Sequence, residues 1–249
     1  AFLAYEGTRT DGPFLNPLDY ERDNVSGNLT MPIGEDQALS FRFNYGRNNF
    51  TSSGQIPLDE VAANRLDRFG FVDPTNGGEV DTGLLSVAYR REFASGTVLK
   101  ADGFVGRSLF DLYSNFTFFL NDEVNGDGIQ QHDSRLQEGA NLQLVVPFEI
   151  FGSKALLTTG GNFHDNQINV GLFNARDRDP YGVVTKAHAH VTNGAGYVQQ
   201  ALNLLDGHLH VEGGLRLDVF RFAVDDCVDP SASGVESASR IQPKASVAW

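Results

Sequence analysis

The chain has 249 residues, 41% of them hydrophobic, and a formal net charge of −13 from 19 Lys and Arg against 32 Asp and Glu. Binding to phosphates needs a basic face, so this acidic balance argues against nucleic acid as a partner. Cys227 is the single cysteine, which excludes an internal disulfide framework. No run of 18 apolar residues predicts a transmembrane helix, and a signal peptide, if there is one, is expected outside this sequence.

Alternation of apolar and polar residues predicts long β-strands from one end of the chain to the other. It is regular at 25–33, 39–45, 140–150, 209–219 and 241–249, and less regular at 80–93 and 195–204. One face of 39–45 carries Leu39, Phe41, Phe43 and Tyr45, and the other carries Ser40, Arg42 and Asn44. Such strands bury one face in an apolar environment and leave the other in water. About ten strands are predicted.

Short turns and long loops separate these strands in turn. The short turns are expected at 34–36, 94–96, 151–153 and 205–207, and the long polar loops at 51–80, 118–133, 173–186 and 225–238. Tight turns at one end of a strand meander and wide loops at the other are typical of transmembrane β-barrels. The pattern therefore predicts hairpins that stand in a membrane, within one continuous sheet and one domain.

Strand length separates this prediction from its main alternative, an ordinary β-sandwich. Segments of about 15 residues exceed the five or six usual in sandwiches, whereas about 9 to 11 tilted residues cross a bilayer. The apolar face is then expected to contact lipid, and aromatic girdles are expected at both interfaces. Girdle candidates are Phe110, Tyr113, Phe116, Phe118 and Phe119 at the loop end, and Phe93, Phe148 and Phe151 beside short turns. The polar face is expected to line a lumen with Arg42, Asn44, Lys100, Asp102, Asn141, Gln143, Glu212, Arg216 and Asp218.

No motif predicts catalysis or a metal site. The segment 123–128 resembles the start of a calcium loop, but Ser134 stands where a bidentate Glu is needed. The pairs His188 with His190 and His208 with His210 are expected at opposite ends of the sheet, too far apart to share a metal. His164-Asp165 and Asp225-Asp226 have no catalytic motif around them. The chain is therefore predicted to be no enzyme and to carry no cofactor.

Several strings together resemble one known family. They are DGPF at 11–14, GQIP at 54–57, RFGFVDPTNGG at 68–78, LYSNFTFFLND at 112–122, NGDGIQQHDSR at 125–135 and PKASVAW at 243–249. In combination they resemble the barrel domain of TonB-dependent outer-membrane receptors.

The resemblance implies a place in the bacterial outer membrane and a 22-stranded barrel, closed by a separate plug domain. It further implies uptake of a scarce nutrient such as a siderophore, vitamin or glycan, with energy passed from the inner-membrane TonB complex. Residues 1–249 would then be part of the barrel, with the plug and the remaining strands outside this chain. The alternative is a self-contained small outer-membrane barrel that acts as an omptin-like enzyme, an adhesin or a pore.

Loop position and the resembling strings together predict ligand-binding residues. They are Gln55, Asp73, Asn76, Asn121 and Asp122. The alternative for 73–78 is that its Pro, Asn and Gly residues only fold the loop.

Overall fold

A computed structural model describes residues 1–150 and 152–249 of the chain. Ten strands form one sheet in chain order, β1 to β10, with every neighbouring pair antiparallel. The predicted all-β meander of about ten strands is confirmed. Phe151, a predicted girdle residue, lies outside the described residues.

The strands lengthen toward the middle of the chain, from 9 residues in β1 to 26 in β8. The strand bounds are β1 Phe2–Thr10, β2 Tyr20–Ile33, β3 Gln37–Thr51, β4 Gly77–Glu92, β5 Val98–Asn115, β6 Gly128–Ile150, β7 Ser153–Arg176, β8 Asp179–Leu204, β9 Leu209–Asp226 and β10 Gly234–Ala248. A short helix, α1, covers Leu58–Ala62, and single 3-10 turns cover Leu205–Gly207 and Pro230–Ala232. At about 3.3 Å per residue, β7 and β8 extend roughly 80 Å, far more than a bilayer requires.

The sheet has no dry interior, which excludes the sandwich. Its only buried hydrophobic residues, among those described, are Ala155 and Ala175, and no large side chain there is fully buried. Leu142 and Leu215 are 55% and 54% exposed. The long strands therefore form a single layer whose apolar face has no protein to cover it.

Strand register assigns each side chain to one of two faces, since residues alternate sides along a strand. Phe41 pairs with both Leu29 and Val87, so the apolar faces of β2, β3 and β4 coincide. On the other face Lys100 pairs with Gln143, and Asp102 with Asn141. All nine predicted lumen residues share this polar face.

The apolar belt runs obliquely across the hydrogen-bonded rows. Toward the loop end, its first charged residue is Arg47 on β3, Arg107 on β5 and Asp165 on β7. Followed through the strand pairs to β7, the row of Arg47 ends at Asn169 and the row of Arg107 ends at Gln167. The loop-end boundary of the apolar belt therefore shifts by two residues toward the short turns for every two strands. A belt level with the membrane requires this offset when strands are tilted and staggered, as in a barrel.

The connections follow the predicted asymmetry with one correction. Loops cover residues 11–19, 52–76, 116–127 and 227–233, and the other ends of the strands carry tight turns. The loop predicted at 173–186 is wrong: β7 and β8 continue to a two-residue turn at Asp177 and Arg178. Both residues have positive φ, 52° and 67°, as a type I′ turn requires.

The aromatic side chains correct a second prediction. Phe116, Phe118 and Phe119 follow the end of β5 and belong to a loop, so they are not a membrane girdle. On the apolar face, Tyr5 and Tyr45 share one row toward the loop end through Val25, and the predicted Tyr113 lies on the same face of β5, whereas Phe110 lies on the polar face. Phe148 lies on the apolar face near the short turns, as predicted.

Candidate ligand-binding site

Three loops and one hairpin turn meet at the loop end of the sheet, opposite the short turns. We call this assembly the loop cluster; it comprises residues 11–19, 52–76, 116–127 and 177–178. Long loops with their own internal packing are usually functional.

The 11–19 loop is bonded to the 52–76 loop by its backbone and by one buried amide. Asn16, 8% exposed, donates to the carbonyls of Ser52 at 3.0 Å and Pro74 at 3.2 Å. The backbone N–H of Leu15 donates to Phe69 O at 2.9 Å. A single side chain that satisfies two carbonyls from opposite ends of a 25-residue loop holds that loop closed.

Asp73 organises the C-terminal part of the 52–76 loop. Its Oδ1 accepts from the backbone N and the hydroxyl of Thr75, at 2.8 and 2.6 Å, and its Oδ2 accepts from Asn115 Nδ2 at 2.9 Å. Burial acts to raise the pKa of Asp73, but hydrogen bonds from Thr75 and Asn115 and the charge of Arg178 outweigh it and lower the pKa. The carboxylate therefore stays ionised and links this loop to the end of β5.

Arg178, at the tip of the β7–β8 hairpin, reaches across to the same loop. Its Nε donates to Thr75 O at 2.7 Å, and one Nη donates to Phe50 O at 3.2 Å and Asn76 O at 3.3 Å. Its guanidinium lies 5.2 Å from the centre of the Tyr113 ring. Arg178 is absent from the predicted site residues because the pattern predicts a long loop at 173–186. No local signal marks a residue whose partners are about 100 positions away.

The 116–127 loop is folded around two carboxylates. Asp127 accepts from Thr117 Oγ1 at 2.6 Å and from the backbone N–H groups of Asn121 and Asp122. Asp122 accepts from the backbone N–H groups of Val124 and Asn125. The hydrogen bond from Thr117 foremost lowers the pKa of Asp127, and the N–H of Asn125 foremost lowers that of Asp122. N–H and O–H donors thus surround the oxygens that a calcium ion would need.

A cavity of about 220 Å³ opens between these two loops and the end of β7. Its walls include Val72, Pro74, Phe118, Phe119 and Val124, with Asp73, Asn115, Arg176 and Asp177 as polar lining. Apolar walls with a few placed polar groups are characteristic of small-molecule sites. Beside it the loops expose Leu120, which is 75% exposed, and the wall residue Val124 is itself 77% exposed.

The five predicted ligand residues divide by what their side chains already contact. Asp73 and Asp122 accept the loop hydrogen bonds described above, Asn121 donates to Asp127, and Asn76 is only 5% exposed. Gln55 is exposed in the 52–76 loop, and its side chain makes no hydrogen bond to another described residue. Asp73 lines the cavity, whereas Gln55 and Asn76 do not. Ligand binding by these residues stays a prediction.

Below the loop cluster, the polar face of the sheet forms a bonded wall. Arg216 makes two 2.8 Å contacts with the carboxylate of Asp218 and one with Asn162 Oδ1. Gln242 donates to Asp218 at 2.7 Å, and Asp218 is 4% exposed. Tyr197 receives a hydrogen bond from Gln143 at 3.0 Å. The wall is therefore polar, charged and locally rigid, as the wall of an aqueous lumen would be.

Among the described residues, side chains that could bind a metal or transfer a proton occur as pairs. In the described part of the chain, no group of three or more His, Cys, Asp or Glu could hold a metal ion. His188 and His190 lie toward the loop end of β8, and His210 pairs with Asn203 near the short turn, so the histidine pairs lie at opposite ends as predicted. His164 and Asp165 are successive strand residues on opposite faces and cannot act as a pair.

A family model for the β-barrel of TonB-dependent receptor-like proteins matches residues 15–249. The chain belongs to the TonB-dependent receptor family. The matched part is the barrel. The predicted family and the predicted location, the bacterial outer membrane, are therefore confirmed. The family comprises transport receptors, which agrees with the prediction that the chain is no enzyme. A sequence search of curated proteins finds no match.

Solved structures show the same fold at low sequence identity. The ferric citrate transporter FecA, unliganded, superposes on 98% of this chain with a TM-score of 0.77 at 15% identity. The ferripyoverdine receptor of Pseudomonas aeruginosa, bound to ferripyoverdine, covers 98% at TM-score 0.70 and 16% identity. The ferric-catecholate import receptor Fiu of E. coli K12, in its open form, covers 98% at 0.69 and 13% identity.

The chain spans only part of those proteins: 35% of FecA, 35% of the ferripyoverdine receptor and 46% of Fiu. Within the described residues, the structure contains no helix with the length and apolar character needed to cross a membrane.

Proposed function

We propose that this chain is part of the barrel of an outer-membrane receptor that captures a scarce nutrient and imports it with TonB-derived energy. The observation that carries the proposal is the loop cluster, bonded into one assembly above a polar wall, in a chain of this family. A preordered mouth costs less conformational entropy when a ligand binds than a disordered one.

The open edges of the sheet support a partial barrel. Among the described residues no pairing joins β1 to β10, and each pairs with a single neighbour. Unpaired backbone groups in lipid cost several kcal/mol each, so further strands are needed to close the sheet. We infer that these strands, up to the 22 that the family resemblance implies, and the plug domain belong to the rest of the receptor. This argues against a self-contained ten-stranded barrel.

A ferric siderophore is the first substrate to test, because all three compared structures are of iron-chelate transporters or receptors by their titles. A vitamin or glycan is the next choice. Gln55, Asp73, Asn76, Asn121 and Asp122 are the proposed ligand residues. Of these, Gln55 offers the clearest test, because its amide is exposed and replacing it breaks no hydrogen bond seen within the loops.

The test is uptake of ⁵⁵Fe by cells whose only receptor of this type contains the chain, supplied with ferric citrate, ferric hydroxamate or ferric catecholate in separate assays. Uptake of one chelate should stop when a protonophore collapses inner-membrane energy. Gln55→Ala should weaken its binding by roughly tenfold, the loss of one hydrogen bond of about 1.4 kcal/mol. Gln167→Ala, an exposed glutamine on the apolar face, is the control and should bind as the unchanged receptor does. Uptake that ignores the protonophore would contradict energy coupling.

A further inference from the structure

The cavity beside the 116–127 loop lies on the outer side of the barrel wall. Its floor includes Asn115 and Gly128, which pair with each other across β5 and β6, and Ala175 beside Gly128 on β7. All three alternate onto the face that carries the apolar belt. A ligand in this cavity therefore lies away from the lumen. We call it the Phe119 cavity, after the exposed ring in its wall.

The Phe119 cavity also lies well outside the lipid. Arg107 marks the loop-end boundary of the belt on β5, and Asn115 follows it by eight residues on the same strand. At about 3.3 Å per residue this is roughly 26 Å along the strand, beyond the reach of acyl chains. The outer face between them carries polar groups, among which Asp111 accepts from Gln130 and bonds to His132. The occupant therefore comes from the polar surroundings of the cell surface.

The aromatic part of the cavity wall is held in a fixed shape. Phe118 has a φ of 60°, in the left-handed region that a bulky residue seldom adopts. Its N–H donates to Asn115 Oδ1 at 2.8 Å, and its carbonyl accepts from the N–H of Asp127 at 2.6 Å. Gly126, with a φ of 80°, leaves room for the Phe119 ring, which a Cβ there would meet at 3.3 Å. Strained residues that surrounding bonds fix in this way are characteristic of ligand sites.

The size and lining of the cavity indicate the class of ligand. A cavity of about 150 Å³ admits a benzene ring, so about 220 Å³ admits one six-membered ring with substituents. Apart from Ala175 and two glycines, the lining has five apolar and five polar side chains: Val72, Pro74, Phe118, Phe119 and Val124 against Asp73, Asn115, Asn125, Arg176 and Asp177. A pyranose offers both surfaces, since its C–H face packs on an aromatic ring and its hydroxyl groups exchange hydrogen bonds with amides, carboxylates and guanidinium groups. A hydrocarbon group would leave the polar half of the lining unused.

Polar groups at the rim are free to bind such a ligand. Arg176 and Asp177 are exposed, and the ion pair between them is a loose 3.7 Å. Asn125 donates to Asp122 Oδ2 at 3.0 Å, and its own Oδ1 accepts no hydrogen bond from a described residue. The charge of the lining selects neutral sugars, because Asp73 and Asp177 outnumber Arg176 and repel a phosphate or carboxylate.

We propose that the Phe119 cavity binds one neutral pyranose unit of a glycan. The sugar ring lies against Phe119, and its hydroxyl groups contact Asn125, Arg176 and Asp177 at the rim. Cell-surface polysaccharide and free oligosaccharide both offer this chemistry. The site does not depend on iron uptake, so this inference and the proposed function can each fail without the other.

The test is saturation-transfer NMR of the intact receptor in a detergent without sugar headgroups. The probes are the methyl glycosides of glucose, galactose, mannose and N-acetylglucosamine, added one at a time. At least one should bind, and glucuronic acid should bind at least tenfold more weakly. Phe119→Ala should weaken binding of that glycoside at least tenfold. Phe116→Ala is the matched control and should leave it unchanged, because Phe116 is 50% exposed in the same loop, against 57% for Phe119, and does not line the cavity.

A second variant tests the role of charge without altering the shape of the cavity. Asp177→Asn keeps the hairpin turn, because Asn also adopts positive φ, and removes one negative charge. It should narrow the difference in affinity between the neutral glycoside and glucuronic acid about threefold at low salt. Heat-modifiable gel migration checks that each variant is folded.

The source of the sugar is identified by mass spectrometry of receptor purified from cells whose lipopolysaccharide carries all its sugars. Glycan retained by the unchanged receptor and lost in Phe119→Ala marks a surface polysaccharide, whereas binding of added glycosides alone marks a free oligosaccharide. Absence of glycoside binding to the unchanged receptor would overturn the proposal, as would equal binding by the Phe116 and Phe119 variants. So would a sugar-free receptor whose dimer is lost in Phe119→Ala, since a second copy would then occupy the cavity.

Discussion

At the scale of single residues, Arg178 is the side chain on which the 52–76 loop most depends. A guanidinium presents several N–H donors in a rigid fork, and here three carbonyls of one strand end and one loop share them. One of those carbonyls, of Asn76, directly precedes Gly77, whose φ is 142°. A Cβ there would collide with Phe50 O and with the guanidinium itself. The position of the arginine therefore requires a glycine at 77.

Replacing Arg178 should loosen the loop without unfolding the sheet. We expect Arg178→Ala to lower the free energy of local opening by about 2 kcal/mol, and so to speed amide exchange in 52–76 by roughly thirtyfold. Arg178→Lys should recover only part of this, because an ammonium lacks the planar fork. The measurement is hydrogen–deuterium exchange of the receptor resolved to peptides.

The neighbouring Arg176 provides the matched control. It is exposed, and its ion pair, at 3.7 Å, is with the adjacent Asp177. Exposed pairs of this kind contribute little, so Arg176→Ala should leave exchange in 52–76 unchanged. Equal exchange in the Arg176 and Arg178 variants would show that the hairpin tip does not hold the loop.

At the scale of elements, each strand has to satisfy two environments with alternate residues. On β6, Leu144 faces the belt and its neighbour Gln143 faces the polar wall. The belt crosses the rows obliquely, so its depth at any residue depends on the strand as well as on the sequence position. Alternation alone predicts the face of a residue, while register decides its depth.

A charge should therefore have opposite consequences at these two neighbouring positions. Leu144→Arg should destabilise the receptor by about 2–4 kcal/mol, because the guanidinium would lie in the middle of the belt. Gln143→Arg should cost about 1 kcal/mol or less, chiefly the lost hydrogen bond to Tyr197. Urea titration of the receptor refolded in lipid vesicles measures both. Similar costs for both variants would contradict the assignment of faces.

The β7–β8 hairpin shows why one element could not be predicted. Its tip contains Pro180 and Gly182 among charged residues, which is typical of a loop. The strand pairing continues through it with two register shifts, at Leu172/Phe173 and Asn174/Ala175. Such bulges interrupt the period of two that a sequence pattern relies on.

At the scale of the whole molecule, the sheet lacks the means to be stable alone. Its described residues include almost no buried hydrophobic side chain, and both edge strands present unpaired backbone groups. In the proposed receptor its stability would come from lipid on one face, from a water-filled or plugged lumen on the other, and from the strands that close it.

This predicts a difference between the 249-residue chain and the receptor that contains it. Refolded in detergent, the receptor should migrate faster on gels before boiling than after, as closed barrels do, and should resist protease in its strands. The chain by itself should show neither property, because its open edges leave backbone groups unpaired. A heat-modifiable, protease-resistant form of the isolated chain would instead support a self-contained barrel.

Sequence alone determined the parts of this protein that depend on near neighbours. Alternation identified the strands and the two faces, Gly and Asp marked the tight turns, and the family strings identified the receptor. The tertiary structure alone decided what depends on distant pairs: the two-residue turn at Asp177, the loop bonds of Asn16 and Arg178, and the slant of the belt. The reason is physical, since a side chain's face follows from the period of its own strand, whereas its partner and depth follow from how strands far apart in sequence align.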